Sequence, residues 1–222
     1  MENYLLICQQ NPLFAHLPHQ ELPEILHCLG ARLKHYAKGE TLFAADSKIS
    51  QLGIVISGVV HTSSTDFIGN RSIISYMSSG QLFCDAYSST LDGILLVDIM
   101  AQTDCTVLLI KTGHLLKASY LKTDYQIQLQ ENLLHILAQK YVDLGCKVIH
   151  LSGRSTQRKL LSYLSEQYRF AEGKPFAIPF TQQELADYLF VERSGLSVEY
   201  NKLKKAGIVK EKNGLITLKR PE

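Results

Sequence analysis

The sequence predicts an α+β chain in three parts: an N-terminal antiparallel β-barrel, a long dimerisation helix and a C-terminal winged helix-turn-helix. Three observations predict it. Short apolar runs, closely spaced and separated by turn-formers, fill residues 33–110, the pattern of an all-β sandwich or barrel. A proline-free stretch from Thr123 to Leu151 carries apolar residues in heptad spacing. Two short helical patterns and a hairpin signal then close the chain. The bounds are 1–122 for the barrel with its N-terminal helix, 123–151 for the long helix and 152–222 for the winged helix.

From the N-terminus, the apolar run Tyr4 to Cys8 is too brief for a signal peptide. Leu22, Ile25, Leu26 and Leu29 have the spacing of one helix face, which predicts a helix over Glu21 to Leu29. Strands are expected at Leu33–Ala37, Thr41–Ala44, Leu52–Thr62, Arg71–Met77 and Leu95–Ile110. The turns between and within them are Lys38-Gly39, Ser57-Gly58, Gly69-Asn70, Ser79-Gly80 and Asp92-Gly93.

In the long helix, Ile127, Leu134, Tyr141 and Val148 recur every seven residues, and Gln130, Leu137, Leu144 and Leu151 follow three positions on. That seam favours a parallel pair of helices about 40 Å long, hence a homodimer. Gln130 and Tyr141 are its imperfect positions, suited to setting register or facing a ligand.

The reading head runs from Phe180 to Arg220. Thr181 and Glu184 form a capping box before a helix with Leu185, Ala186 and Leu189 on one face. A second helix spans Arg193 to Lys205, with Leu196, Tyr200 and Leu203 inward and Gly207 placed to end it in a left-handed conformation. Asn213-Gly214 joins two short strands in a hairpin. Charge agrees with this reading. Of the 23 Lys and Arg, 13 lie from Ser152 onward, against 8 of the 21 Asp and Glu, a net of +5; the part before Ser152 carries −3. A basic half is what neutralising DNA phosphates requires.

The order of parts resembles the cyclic-AMP receptor protein / fumarate-nitrate regulator (Crp/Fnr) family of bacterial transcription factors over nearly the full chain. Lys38-Gly-Glu40, the run Gln51 to Gly58 and Gly80-Gln-Leu-Phe83 carry the resemblance in the barrel, Gln183 to Leu189 and Arg193 to Ser197 in the head. It implies a cyclic-nucleotide-binding-like, double-stranded β-helix barrel, and a dimer bound to a near-palindromic duplex site. RNA polymerase is a further implied partner. Within the recognition helix, Arg193 is the expected base reader, since Arg bonds guanine O6 and N7 bidentately. Ser194 and Ser197 are short donors, and Val198 is placed for a thymine methyl. Thr181, Gln182 and Lys202 are expected on the phosphate backbone. Two departures stand out. Phe190 replaces the usual turn glycine, so either the turn is remodelled or Phe190 packs between the helices; Val198 replaces a polar reader.

In cyclic-nucleotide-binding relatives, a Gly-Glu pair holds the ribose and an Arg holds the cyclic phosphate. An ungapped alignment puts Cys84-Asp85 and Leu95-Leu96 at those positions. A buried phosphate without its Arg is left uncompensated, so cyclic AMP is not expected. The expected effector, if the barrel senses one, is small and largely apolar or aromatic, near Phe83, Asp85, Leu95, Leu96 and Tyr141; a purely structural barrel is the other reading. Cys8, Cys28, Cys84, Cys105 and Cys146 lack cluster or metal spacing, although Cys84 or Cys146 leaves thiol redox sensing open. His61 and His114 are isolated haem-ligand candidates in a strand-rich domain, where local hydrogen bonding is the usual role. No His-x-His, P-loop, dinucleotide fingerprint or nucleophile elbow occurs. The expectations are therefore no catalysis, no cofactor, no metal, no membrane segment and a cytoplasmic protein. A ligand-binding protein whose winged helix contacts protein instead of DNA is the competing class.

Overall fold

In the computed structural model, which describes residues 3–69, 71–117 and 120–219, the first 139 residues build helices and strands around two apolar cores. In chain order they are α1 (Asn3–Gln10), α2 (Leu22–Cys28), β1 (Arg32–Tyr36), β2 (Thr41–Phe43), β3 (Gln51–Ser57), β4 (Val60–Thr65), β5 (Arg71–Met77), β6 (Leu82–Phe83), α3 (Asp85–Ser89), β7 (Asp98–Ala101), β8 (Cys105–Lys111), α4 (Thr112–Leu116) and α5 (Thr123–Leu151). The strands form two four-stranded antiparallel sheets, ordered β1-β8-β3-β6 and β2-β7-β4-β5.

Both faces of β3 are buried, which is why its sequence is apolar without alternation. Leu52, Ile54 and Ile56 pack with Leu13, Phe14 and Ile25 of the helical layer. Val55 faces the other way, into a core shared by the two sheets with Val60, Phe83, Ile99 and Val107. Gly53 sits opposite Phe83 in the ladder, and a Cβ there would collide with the Phe83 ring.

Two expected strands are each two strands. Leu52–Thr62 divides at Gly58, whose φ of 80° marks the corner where the chain leaves one sheet as β3 and enters the other as β4. Leu95–Ile110 divides at Gln102–Asp104 because polar residues there form the corner between β7 and β8. Glycine takes a positive φ in all five expected turns, although Asn70 lies outside the described residues.

α5 has the bounds read from the heptads, but it belongs half to each of two compact units, Met1–Gln139 and Lys140–Glu222. Leu129 and Leu133 join the helical layer of the first unit, and Asn132 Nδ2 donates to Leu13 O and Ala15 O, both at 2.9 Å. Gln130 has a role inside its own unit: its Nε2 donates to Leu116 O at 3.0 Å, satisfying a carbonyl at the end of α4.

The second unit adds α6 (Thr156–Phe170), α7 (Gln182–Leu189), α8 (Arg193–Lys205), β9 (Val209–Lys212) and β10 (Leu215–Leu218). α6 was not anticipated. Ser155 caps it, accepting from Arg158 N at 3.3 Å, and Leu160, Tyr163 and Leu164 anchor it in the core against Leu185, Leu196 and Ile216. Gly207 is left-handed at φ 70°, and Asn213 and Gly214, at 53° and 75°, give the tight turn between β9 and β10. Arg220 lies outside the described residues. No helix among the described residues is long and apolar enough to cross a membrane.

Candidate nucleic-acid interface

The start of α7 is fixed by reciprocal bonds. Thr181 N donates to Glu184 Oε2 at 2.7 Å, and Glu184 N donates to Thr181 Oγ1 at 3.2 Å. The Thr181 backbone N–H, and after it the Thr181 side chain, hold the Glu184 carboxyl below the ordinary carboxylate range.

Phe190 occupies the turn between α7 and α8 with φ 51° and ψ 57°. It takes the left-handed conformation that glycine adopts without cost, and its ring is 60% exposed, with Lys147 Nζ 5.2 Å from the ring centroid. Phe190 thus closes the turn itself and does not pack between the helices. Lys159 Nζ supports it by donating to Leu189 O at 3.1 Å and Phe190 O at 3.4 Å, where α7 leaves carbonyls unsatisfied.

α8 turns Leu196 and Leu203 into the core and leaves Arg193, Ser194 and Val198 exposed, with Ser197 half-buried. Its N-cap is Glu192, so Ser194 is not consumed in capping. Ser197 meets Thr181 and Gln182 around a cavity described below. Lys202 goes elsewhere. Its Nζ pairs with Glu199 Oε1 at 2.7 Å, and both residues line a surface cleft with Arg154, Ser155, Thr156 and Gln157 at the N-terminus of α6. That cleft, and Lys210, Lys212 and Lys219 exposed on the wing, were not singled out in the sequence. The signal for the first was available in Ser155 followed by an apolar i, i+3, i+4 pattern.

In the first unit, Cys84 has φ 59°, a left-handed conformation that favours glycine, one residue before α3. Phe83 and Asp85 are buried. Leu95 and Leu96 do not share a wall: Leu95 is fully buried in the inter-sheet core, whereas Leu96 lies in a bend before β7 and is 69% exposed. Tyr141 is exposed and lies in the second unit. His114 is bonded locally, its Nδ1 2.9 Å from Cys28 O and its ring stacked on Tyr120 at 3.9 Å. Among the described residues no group of three His, Cys, Asp or Glu is placed to hold a metal. Along α5, Ile127, Leu134, Tyr141, Leu144 and Val148 form an exposed apolar stripe, with Leu137 and Leu151 half-buried beside it.

A sheet unit joined by one long helix to a basic winged helix-turn-helix defines a DNA-binding transcription regulator. Family models agree. A cyclic nucleotide-binding domain matches residues 33–119 and a Crp-like helix-turn-helix domain matches residues 158–222, together the greater part of the chain. The chain belongs to the Crp/Fnr family of transcription regulators. A comparison with curated proteins returned no match. Among solved structures, the fold is similar to FixK2 from Bradyrhizobium japonicum (TM-score 0.52, 21% identity, covering 86% of this chain and 93% of that one). It is similar also to the catabolite activator protein of Thermus thermophilus (0.54, 22%, 94% of each). A third is the c-di-GMP-responsive global regulator CLP of Xanthomonas campestris (0.56, 16%, 91% and 100%).

Proposed function

We propose that the protein works as a homodimer on a near-palindromic operator, with α8 of each subunit in the major groove. The observation that carries this is the exposed N-terminal face of α8, where Arg193, Ser194 and Val198 stand clear of the core that Leu196 and Leu203 anchor. Arg193 reads a guanine, Ser194 and Ser197 bond bases or phosphates, Val198 meets a thymine methyl, and Thr181, Gln182 and Lys202 hold the backbone. Lys202 leaves Glu199 to do so. The exposed stripe on α5 supports the dimer, since a seam of that length left in water is costly.

The signal is something other than cyclic AMP. Leu95 and Leu96 stand at the phosphate position and supply no charge, and the core around Phe83 and Leu95 is apolar, which suits a small apolar or aromatic effector. The exposed side chains of Phe190 and Val198 favour a second reading, in which this face contacts a protein. Selection of genomic fragments by the purified protein separates the two. Enrichment of one near-palindromic sequence supports the regulator; enrichment of none, with or without cell extract, supports the protein contact.

A further inference from the structure

Between the N-terminus of α7, α8 and the wing lies a cavity of about 180 Å³. Ile178, Phe180, Leu185, Leu196 and Ile216 supply apolar lining. The cavity is a cleft open to solvent on one side, with Thr181, Gln182, Ser197, Tyr200 and Glu211 as polar lining. An enclosed apolar cavity of about 150 Å³ holds one benzene, so this cleft has room for a single ring or a small bicycle.

Its polar chemistry narrows the class of occupant. Glu211 lines the cavity, and its Oε2 accepts from the Tyr200 hydroxyl at 3.1 Å and from Lys204 Nζ at 3.0 Å. Those two bonds, Lys204 first, hold the Glu211 carboxyl below its ordinary range. Burial, then the bond to Glu211, pushes Tyr200 up, so its phenol stays protonated. Both bonds use Oε2; among the described residues Oε1 is the acceptor left for a donor from outside. An anionic group brings only acceptors to a carboxylate that is itself an acceptor, and Lys204 is already bonded to Oε2. A cation gains little, because Lys204 already balances the carboxylate. A neutral N–H or O–H donor on a flat apolar body satisfies both walls and acceptor.

We propose that this cavity binds a small neutral aromatic donor, an indole or a phenol, and that its occupancy weakens DNA binding. The second half rests on the DNA-binding reading. Thr181, Gln182 and Ser197 also line the cavity, and these are residues assigned to the DNA-facing side. A ring seated between α8 and the wing shifts Ser197 and the wing hairpin away from the spacing the duplex needs.

The test uses the full-length protein with labelled Ile, Leu and Val methyls, titrated with indole and, separately, with benzoate. The expected result is a saturable shift of Ile178, Leu185, Leu196 and Ile216 methyls with indole and none with benzoate. Ser197→Phe, which fills the opening, and Glu211→Leu, which removes the acceptor, should each weaken binding about tenfold or more, with the dispersed methyl spectrum confirming that both fold. On the selected duplex, saturating indole should raise the apparent Kd several-fold. Shifts that are absent, matched by benzoate or indifferent to both variants overturn the site. Unchanged duplex affinity in saturated protein overturns its effect on DNA while leaving the site. Saturable methyl shifts in a protein that binds no duplex support the site and remove the DNA-binding reading instead.

Discussion

His150 Nε2 lies 2.9 Å from Glu166 Oε2, tying the end of α5 to α6 within the second unit. The other ring nitrogen, Nδ1, is 3.0 Å from the Tyr188 hydroxyl on α7, and the ring meets Tyr163 edge-on at 5.5 Å. A neutral imidazole satisfies this site completely, donating from Nε2 and accepting at Nδ1.

That arrangement makes the head sensitive to acid. Burial holds His150 below its ordinary value of 6.5, with Glu166 opposing the shift. Just below pH 6.5 the unfolded chain therefore binds more protons than the folded one, and stability rises with pH across that window. Urea denaturation should show full stability above pH 6.5 and a decline as pH falls from there toward the folded value. His150→Gln, which keeps a donor and an acceptor but does not titrate, should flatten the slope. A slope unchanged in the variant would assign it to other groups.

Phe190 allows a sharp test of the turn. Because its ring is exposed, Phe190→Gly should change stability by no more than about 1 kcal/mol, relief of left-handed strain being offset by added chain entropy. A β-branched residue tolerates this φ less well, so Phe190→Val should cost roughly 1–2 kcal/mol. If Phe190 packed between the helices, the glycine variant would instead lose about 3 kcal/mol or more. Chemical denaturation of the two variants distinguishes these.

The stripe on α5 predicts the assembly state. Leu134 and Leu144 are 64% and 59% exposed, so a carboxylate at either position disturbs no core of one chain. Leu134→Glu with Leu144→Glu should give a folded monomer by sedimentation, with operator affinity reduced by the loss of the second half-site. A variant that remained dimeric would place the interface elsewhere.

Cyclic AMP should leave the melting temperature unmoved at millimolar concentration, because a ligand raises it only by binding the folded state. A rise of several degrees would show that another group replaces the missing Arg.

Where a single chemical rule dominated, the sequence was legible to the residue. The bounds of α5 and α8, the capping box at Thr181 and the Asn213-Gly214 turn each follow from one local pattern. Ser57-Gly58 was read as a turn inside one strand, because the apolar residues on either side of it, Ile54 to Ile56 and Val59-Val60, do not show that the chain changes sheets there. α6 was missed because its polar residues outnumber the three that anchor it. Leu95 and Leu96 were read as a joint wall because a sequence alignment carries no side-chain direction. Similarly, heptad spacing marked Gln130 as part of a seam, whereas the Leu116 carbonyl that engages it lies 14 residues away.

Anisotropy titration of the selected duplex, with wild type, Arg193→Ala and Lys202→Ala at two salt concentrations, tests the central claim most directly. The account predicts that Arg193→Ala, which removes one contact from each half-site, loses about 30-fold or more in affinity and relaxes the preference at one base pair of each half-site. Lys202→Ala should weaken all duplexes alike and reduce the salt slope by about two, one for each subunit. Equal binding by all three proteins, or binding indifferent to salt, would contradict a DNA-reading role for α8.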